Sequence, residues 1–148
     1  DRRRQVTSAR PALNGYQRGK CFYCYRQVEI TPGSGDLADV DHVFPHVLQR
    51  HGVMKNLDGV WNLVLACVDC NRGPRGKFDA VPHNTYVNRL NTRNNYLIHT
   101  HHPLKDTLIG QLGRTVDLRH QFLQNTLDLA RKYQPSVWST QPQGDPVF

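Results

Sequence analysis

The sequence predicts an α+β fold, and three observations carry that expectation. Within residues 20–81, short apolar runs, some alternating with polar residues, lie between turn residues, as strands do. Residues 82–134 switch to the three- and four-residue spacing of amphipathic helices. All four cysteines fall into two C-x2-C pairs, Cys21/Cys24 and Cys67/Cys70, inside the strand-rich part.

The chain has 148 residues, enough for one domain. Its 38% hydrophobic fraction and mean hydropathy of -0.62 are lean for a well-filled core, so a metal staple would help it fold. The formal charge is +7, which suits a polyanionic partner. The first twenty residues carry Arg2, Arg3, Arg4, Arg10, Arg18 and Lys20 against Asp1 alone, so six minus one, or +5, of that charge sits there. Residues 1–19 read as a basic arm, either a solvated terminus or a nucleic-acid contact. No apolar run approaches the length of a membrane span, and no signal peptide is visible, so the expected location is cytoplasmic. A chain that opens at Asp1 rather than Met reads as a module of a larger protein.

Along the chain, Pro11 suits the first position of a short helix over PALNGYQ. KCFYCYRQVEI is aromatic and β-rich, and TPGSGD is a loop. LADVDHVF reads as a strand ended by Pro45, and VWNLVLAC as a second strand. A helix can begin near the second cysteine pair, but Gly73-Pro74 limits it to a single turn with Asn71 near its start. Residues 82–134 hold three helices: NTYVNRLNTRNNYLIH, PLKDTLIGQL and VDLRHQFLQNTLDLARKY. Leu118, Phe122, Leu129 and Tyr133 form one stripe of the last and are expected in the core. The Pro/Gln-rich tail, residues 135–148, either docks through Trp138 or stays loose.

Each C-x2-C pair can deliver two thiolates to one metal, and two such knuckles complete a closed tetrahedral site for structural Zn2+. Redox pairs, disulfides and buried thiols are the alternatives. Four thiolates leave no open position for water, so any catalysis must lie elsewhere. The 42 residues between the pairs exceed the usual ribbon spacing, so zinc would pin both ends of an insertion.

Inside the insertion stand Asp41-His42 and Asn62, with Asn71 directly after Cys70. Adjacent strand residues face opposite ways. Asp41 can therefore serve a hard cation while His42 faces a water as base. Taken singly, Asp41-His42 reads as an ion pair, Asn62 and Asn71 as caps, and Arg72, Arg75 and Lys77 as a solvated face. His46 and His51 are further candidates near the site. The His99, His101, His102 cluster fits a helix terminus with capping imidazoles better than a metal site.

The order Cys-x2-Cys, DHVFP, NLVLAC, CxxCN and RGPRGK resembles the HNH endonucleases, and the likeness runs from Lys20 to Phe78. That resemblance implies a ββα-metal core stapled by the four-cysteine zinc site and covered by the C-terminal helices. By position, His42 matches the family's general base and Asp41 the metal ligand beside it. Asn62 matches the residue that orients the base, and Asn71 the second metal ligand. The last motif position holds Asn71 in place of the eponymous His, which favours Mg2+ or Mn2+ as the catalytic ion. The resemblance implies DNA hydrolysis, with double-stranded DNA the expected partner and Arg72, Arg75 and Lys77 holding phosphates. The setting would be a restriction, antiviral defence or CRISPR-type protein with a fused or associated targeting or sensing domain. A zinc-stapled nucleic-acid-binding module without catalysis is the rival reading.

Overall fold

A computed structural model describes residues 7–52, 54 and 56–148. Arg2, Arg3 and Arg4 of the expected basic arm lie outside the described residues. Among the described residues the fold is α+β, with five α-helices, two small sheets and a cluster of four cysteines.

Helix α1 (Arg10–Gln17) has proline in its first turn and ends at Arg18 in the left-handed conformation. Pro lacks the N–H that the first turn would leave unpaired in any case. Its last residue, Gln17, is buried and acts like one more strand residue. The amide Nε2 donates to the Leu65 carbonyl at 2.9 Å, and Oε1 accepts from the Leu65 N–H at 2.8 Å.

Strand β1 (Asp39–His42) pairs antiparallel with β2 (Leu63–Ala66), with Asp41 opposite Val64 and His42 opposite Leu63. Both strands are half the length expected from the sequence, because Asn62 takes over where the ladder stops. Its carbonyl accepts from Val43 N at 2.9 Å, and its side-chain Oδ1 accepts from Phe44 N at 2.8 Å. Its Nδ2 returns bonds to the Phe44 and Leu57 carbonyls. The chain thus leaves the sheet with its backbone satisfied, turns at Pro45 and enters a 3-10 helix, His46–His51. A 3-10 turn over Val60–Asn62 likewise precedes β2, where a strand was expected.

Helix α2 (Val68–Arg72) is a single turn, as Gly73-Pro74 implies. Asn71 stands fourth of its five residues, not near its start, because Cys67 is the cap and the helix begins at Val68.

Three longer helices follow: α3 (Asn84–His99), α4 (Lys105–Leu112) and α5 (Val116–Tyr133). His83 caps α3, its Nδ1 accepting from Thr85 N, and Thr115 caps α5 through Leu118 N. Arg93 of α3 is fully buried and ties the helices to the sheet. Its guanidinium donates to the carbonyls of Leu63, Val60 and Trp61. Burial lowers its pKa to about 10, which still leaves it charged at neutral pH.

The stripe expected on α5 is displaced by about one residue. Leu118 and Tyr133 are 51% and 42% exposed, while Arg119, Leu123, Leu127 and Ala130 face the core. Arg119 sets this rotation. Its guanidinium reaches inward to Asn95 Oδ1 at 2.7 Å and the Gly113 carbonyl at 3.0 Å. Phe122 stays half-buried, edge-on to Trp61.

The tail docks. Val137–Trp138 (β4) runs parallel to Val81–Pro82 (β3). Trp138 packs edge-on to Tyr23 and donates its indole N–H to the Arg75 carbonyl. Further on, Gln143 N and Gly144 N donate to the Cys24 carbonyl. Any Cβ at Gly144 would overlap the Tyr25 carbonyl, so only glycine permits this approach.

Candidate metal centre and adjoining cleft

The two cysteine pairs converge. All four Sγ atoms are buried and lie within 4.8 Å of one another, with Cys24 and Cys67 3.8 Å apart. Tetrahedral coordination at about 2.3 Å per thiolate requires sulfurs about 3.8 Å apart, so the donor set fits a metal such as zinc. Three sulfurs also accept backbone N–H groups at 3.4 Å: Cys21 from Tyr23, Cys24 from Arg26, and Cys67 from Cys70. Tyr25 adopts the left-handed conformation that turns the first knuckle. Sulfur-to-sulfur contacts split the thiols. Hydrogen bonds from Cys21, Cys24 and Cys70 hold Cys67 far below the usual thiol range, and the same crowding pushes Cys70 up. A cation is the natural resolution of such a cluster.

An open cleft of about 690 Å³ adjoins α2, lined among others by Asp39, Asp41, His42, His46, Asn71 and Arg72. The sequence-predicted trio Asp41, His42 and Asn71 therefore lines one cleft. Asp41 is nearly buried, and its Oδ2 accepts from the Tyr23 hydroxyl at 2.6 Å. Burial, reinforced by that carboxylate, holds the Tyr23 pKa well above the ordinary phenol value, so Tyr23 stays a neutral donor.

His42 points its Nε2 to Asp58 Oδ1 at 2.7 Å, and His46 Nε2 lies 3.6 Å from the other oxygen of the same carboxylate. An ionised carboxylate can only accept, so it fixes the proton of a neutral His42 on Nε2 and leaves Nδ1 as the basic nitrogen. Asn62 lies behind the cleft and touches not the His42 ring but the backbone of Phe44, two residues beyond it. Asp39, one pleat before Asp41, accepts from Asn71 Nδ2 at 2.9 Å and from Arg72 Nε at 2.8 Å.

Two of the three expected phosphate-binding cations sit elsewhere. The Lys77 side chain is fully buried, donates to the His42 carbonyl at 2.8 Å and lies 3.4 Å from Asp41 Oδ2. Lys77 is an internal counter-charge to Asp41, not a surface cation. Arg75 faces a different cavity, beside Cys24, Cys67 and the tail. Only Arg72 lines the cleft, joined there by Arg10. His51 stacks on Tyr133. The histidine cluster after α3 is a turn, in which His102 Nδ1 accepts from Leu104 N.

Sequence reasoning missed Asp58 and Asp39. Asp39 had a signal, since it follows the period of two from Asp41. Asp58 had none, because it stands in a loop where only tertiary folding brings it to His42. No family model, curated protein or solved structure matches this chain. Among the described residues, no helix is long and apolar enough to cross a membrane.

Proposed function

We propose that this chain is a metal-dependent endonuclease of the HNH type, hydrolysing DNA phosphodiester bonds, with a structural Zn2+ on Cys21, Cys24, Cys67 and Cys70. The observation that carries this reading is the pairing of His42 with Asp58 on the wall that also presents Asp41 and Asn71. Along the chain, β1, β2 and α2 follow one another in the order that the sequence resemblance implies, which supports the reading.

His42 acts as general base. Its Nδ1 takes a proton from a water that attacks phosphorus in line with the 3′ oxygen, whose departure leaves 5′-phosphate and 3′-hydroxyl ends. Asp58 holds the ring and its tautomer, and Asn62 fixes the chain just beyond it. The carboxylates of Asp39 and Asp41 and the amide oxygen of Asn71 are hard donors at one cleft, a donor type that suits Mg2+ or Mn2+, although Asp41 is nearly buried and both carboxylates already accept from protein donors. That cation would stabilise charge on the phosphate and the leaving oxygen. Arg72 and Arg10 hold backbone phosphates, so binding weakens with salt.

A second reading, a zinc-stapled nucleic-acid-binding module without catalysis, is favoured by one contact: Lys77 already supplies a positive charge to Asp41. The two separate on a plasmid assay with zinc-loaded protein and no added ion, Mg2+ or Mn2+. Cleavage that requires the added ion supports the nuclease. Salt-sensitive binding without cleavage under any condition supports the binding module.

A further inference from the structure

Phe78 is the one phenylalanine that the core does not use. Phe22 and Phe44 are buried, Phe122 packs on Trp61, and Phe148 packs on Tyr16, Tyr25 and Phe22. Phe78 is 57% exposed, and among the described residues no aromatic ring contact involves it. Its backbone is also unusual, with φ at +48°, a region that bulky residues rarely occupy. The loop is held there: Lys77 N donates to the Cys70 carbonyl at 2.6 Å, and Phe78 N to the Asn71 carbonyl at 2.9 Å. Strain that a structure enforces on an exposed residue concentrates at functional sites.

The location completes the case. Phe78 lines the same cleft as Asp41, His42 and Asn71, together with the arginines Arg10 and Arg72. An exposed ring on a hydrogen-bonded loop beside cations offers a π-face to one nucleobase while the guanidiniums take its phosphates. A lone ring is too small to dock a protein.

We infer that Phe78 is a base-stacking site, and that the preferred substrate presents an unstacked base next to the cleaved phosphate, as single-stranded or locally opened DNA does. This rests on the nuclease reading for the position of the cleaved bond, but stacking itself can be measured without cleavage. A single-stranded oligodeoxynucleotide carrying 2-aminopurine reports stacking by its fluorescence when added divalent cation is omitted. The wild-type protein should quench the probe and bind it more tightly than the matching duplex. Phe78→Ala and Phe78→Gly should bind about tenfold more weakly and lose the quench, while Phe78→Trp keeps both. The glycine variant relaxes the backbone, so a loss there cannot be assigned to strain.

Folded, zinc-loaded alanine and glycine variants that bind and quench like wild type overturn the inference and leave the nuclease reading standing. Absence of wild-type binding to the single strand also overturns the inference, and ion-dependent plasmid cleavage then decides the nuclease reading separately. Phe78-dependent quenching with no cleavage after Mg2+ or Mn2+ is added upholds the stacking site and removes the nuclease.

Discussion

His42 Nε2 and Asp58 Oδ1 lie 2.7 Å apart, although they stand sixteen positions apart in the chain. That contact joins the end of β1 to the loop before β2, and in the proposed mechanism it leaves Nδ1 as the base. Replacing Asp58 with Asn keeps the shape but permits the wrong tautomer. We expect kcat to fall by about 10- to 100-fold with KM and thermal stability little changed, on the scale of other lost orienting partners. Steady-state kinetics beside a melting curve checks this, and an unchanged kcat removes Asp58 from the mechanism.

Asn62 makes its contribution to stability before any contribution to rate. Asn62→Ala strands the Phe44 N–H and the Phe44 and Leu57 carbonyls in the interior. Buried unpaired groups cost about 1–3 kcal/mol each, so a loss of roughly 3–5 kcal/mol is expected. Urea unfolding measures it directly.

Lys77 and Asp41 form a buried pair, with side chains 0% and 8% exposed. Removing one member of such a pair leaves an uncompensated charge and costs about 3–5 kcal/mol. Lys77→Met should therefore unfold far more easily than Arg72→Met, because the Arg72 side chain is 61% exposed and its pair with Asp39 contributes little.

Stability should also fall at alkaline pH. Tyr23 has its folded pKa raised by burial and by Asp41. The unfolded phenol titrates near 10, so below that pH both states keep the proton and the contribution is fully present. As pH climbs above it, only the unfolded chain releases the proton, and stability is lost towards the folded pKa. Tyr16 and Tyr86 are also raised by burial and add to the slope. Tyr23→Phe should flatten it in melts between neutral pH and about 11.

The cysteine cluster is expected to hold the two halves of the strand-rich part together. A zinc-sensitive dye should report one ion released per chain as the thiols are modified, with loss of the cooperative melt. Cys67→Ser should reproduce that loss without any reagent.

The sequence was most legible where a pattern is local. Helices α3 and α5 lie where their periodicity places them, and the cysteine spacing led to the cluster. Legibility failed where a tertiary partner decides. Charge alone could not tell that Lys77 points inward, because its partners are the Asp41 carboxylate and the carbonyl of His42, 36 and 35 positions earlier in the chain. Arg119 is the same lesson in reverse, a cation that rotates α5 by pulling its own position into the core. Asp58 entered only once the loop had folded back on β1.

The most direct test of the account compares plasmid cleavage by the wild type with that of His42→Ala, both zinc-loaded and folded, in Mg2+, with and without added imidazole. The account predicts ion-dependent cleavage by wild type, loss in the variant and partial rescue by imidazole, which supplies the missing base. Cleavage by the variant at the wild-type rate would contradict the assignment of His42.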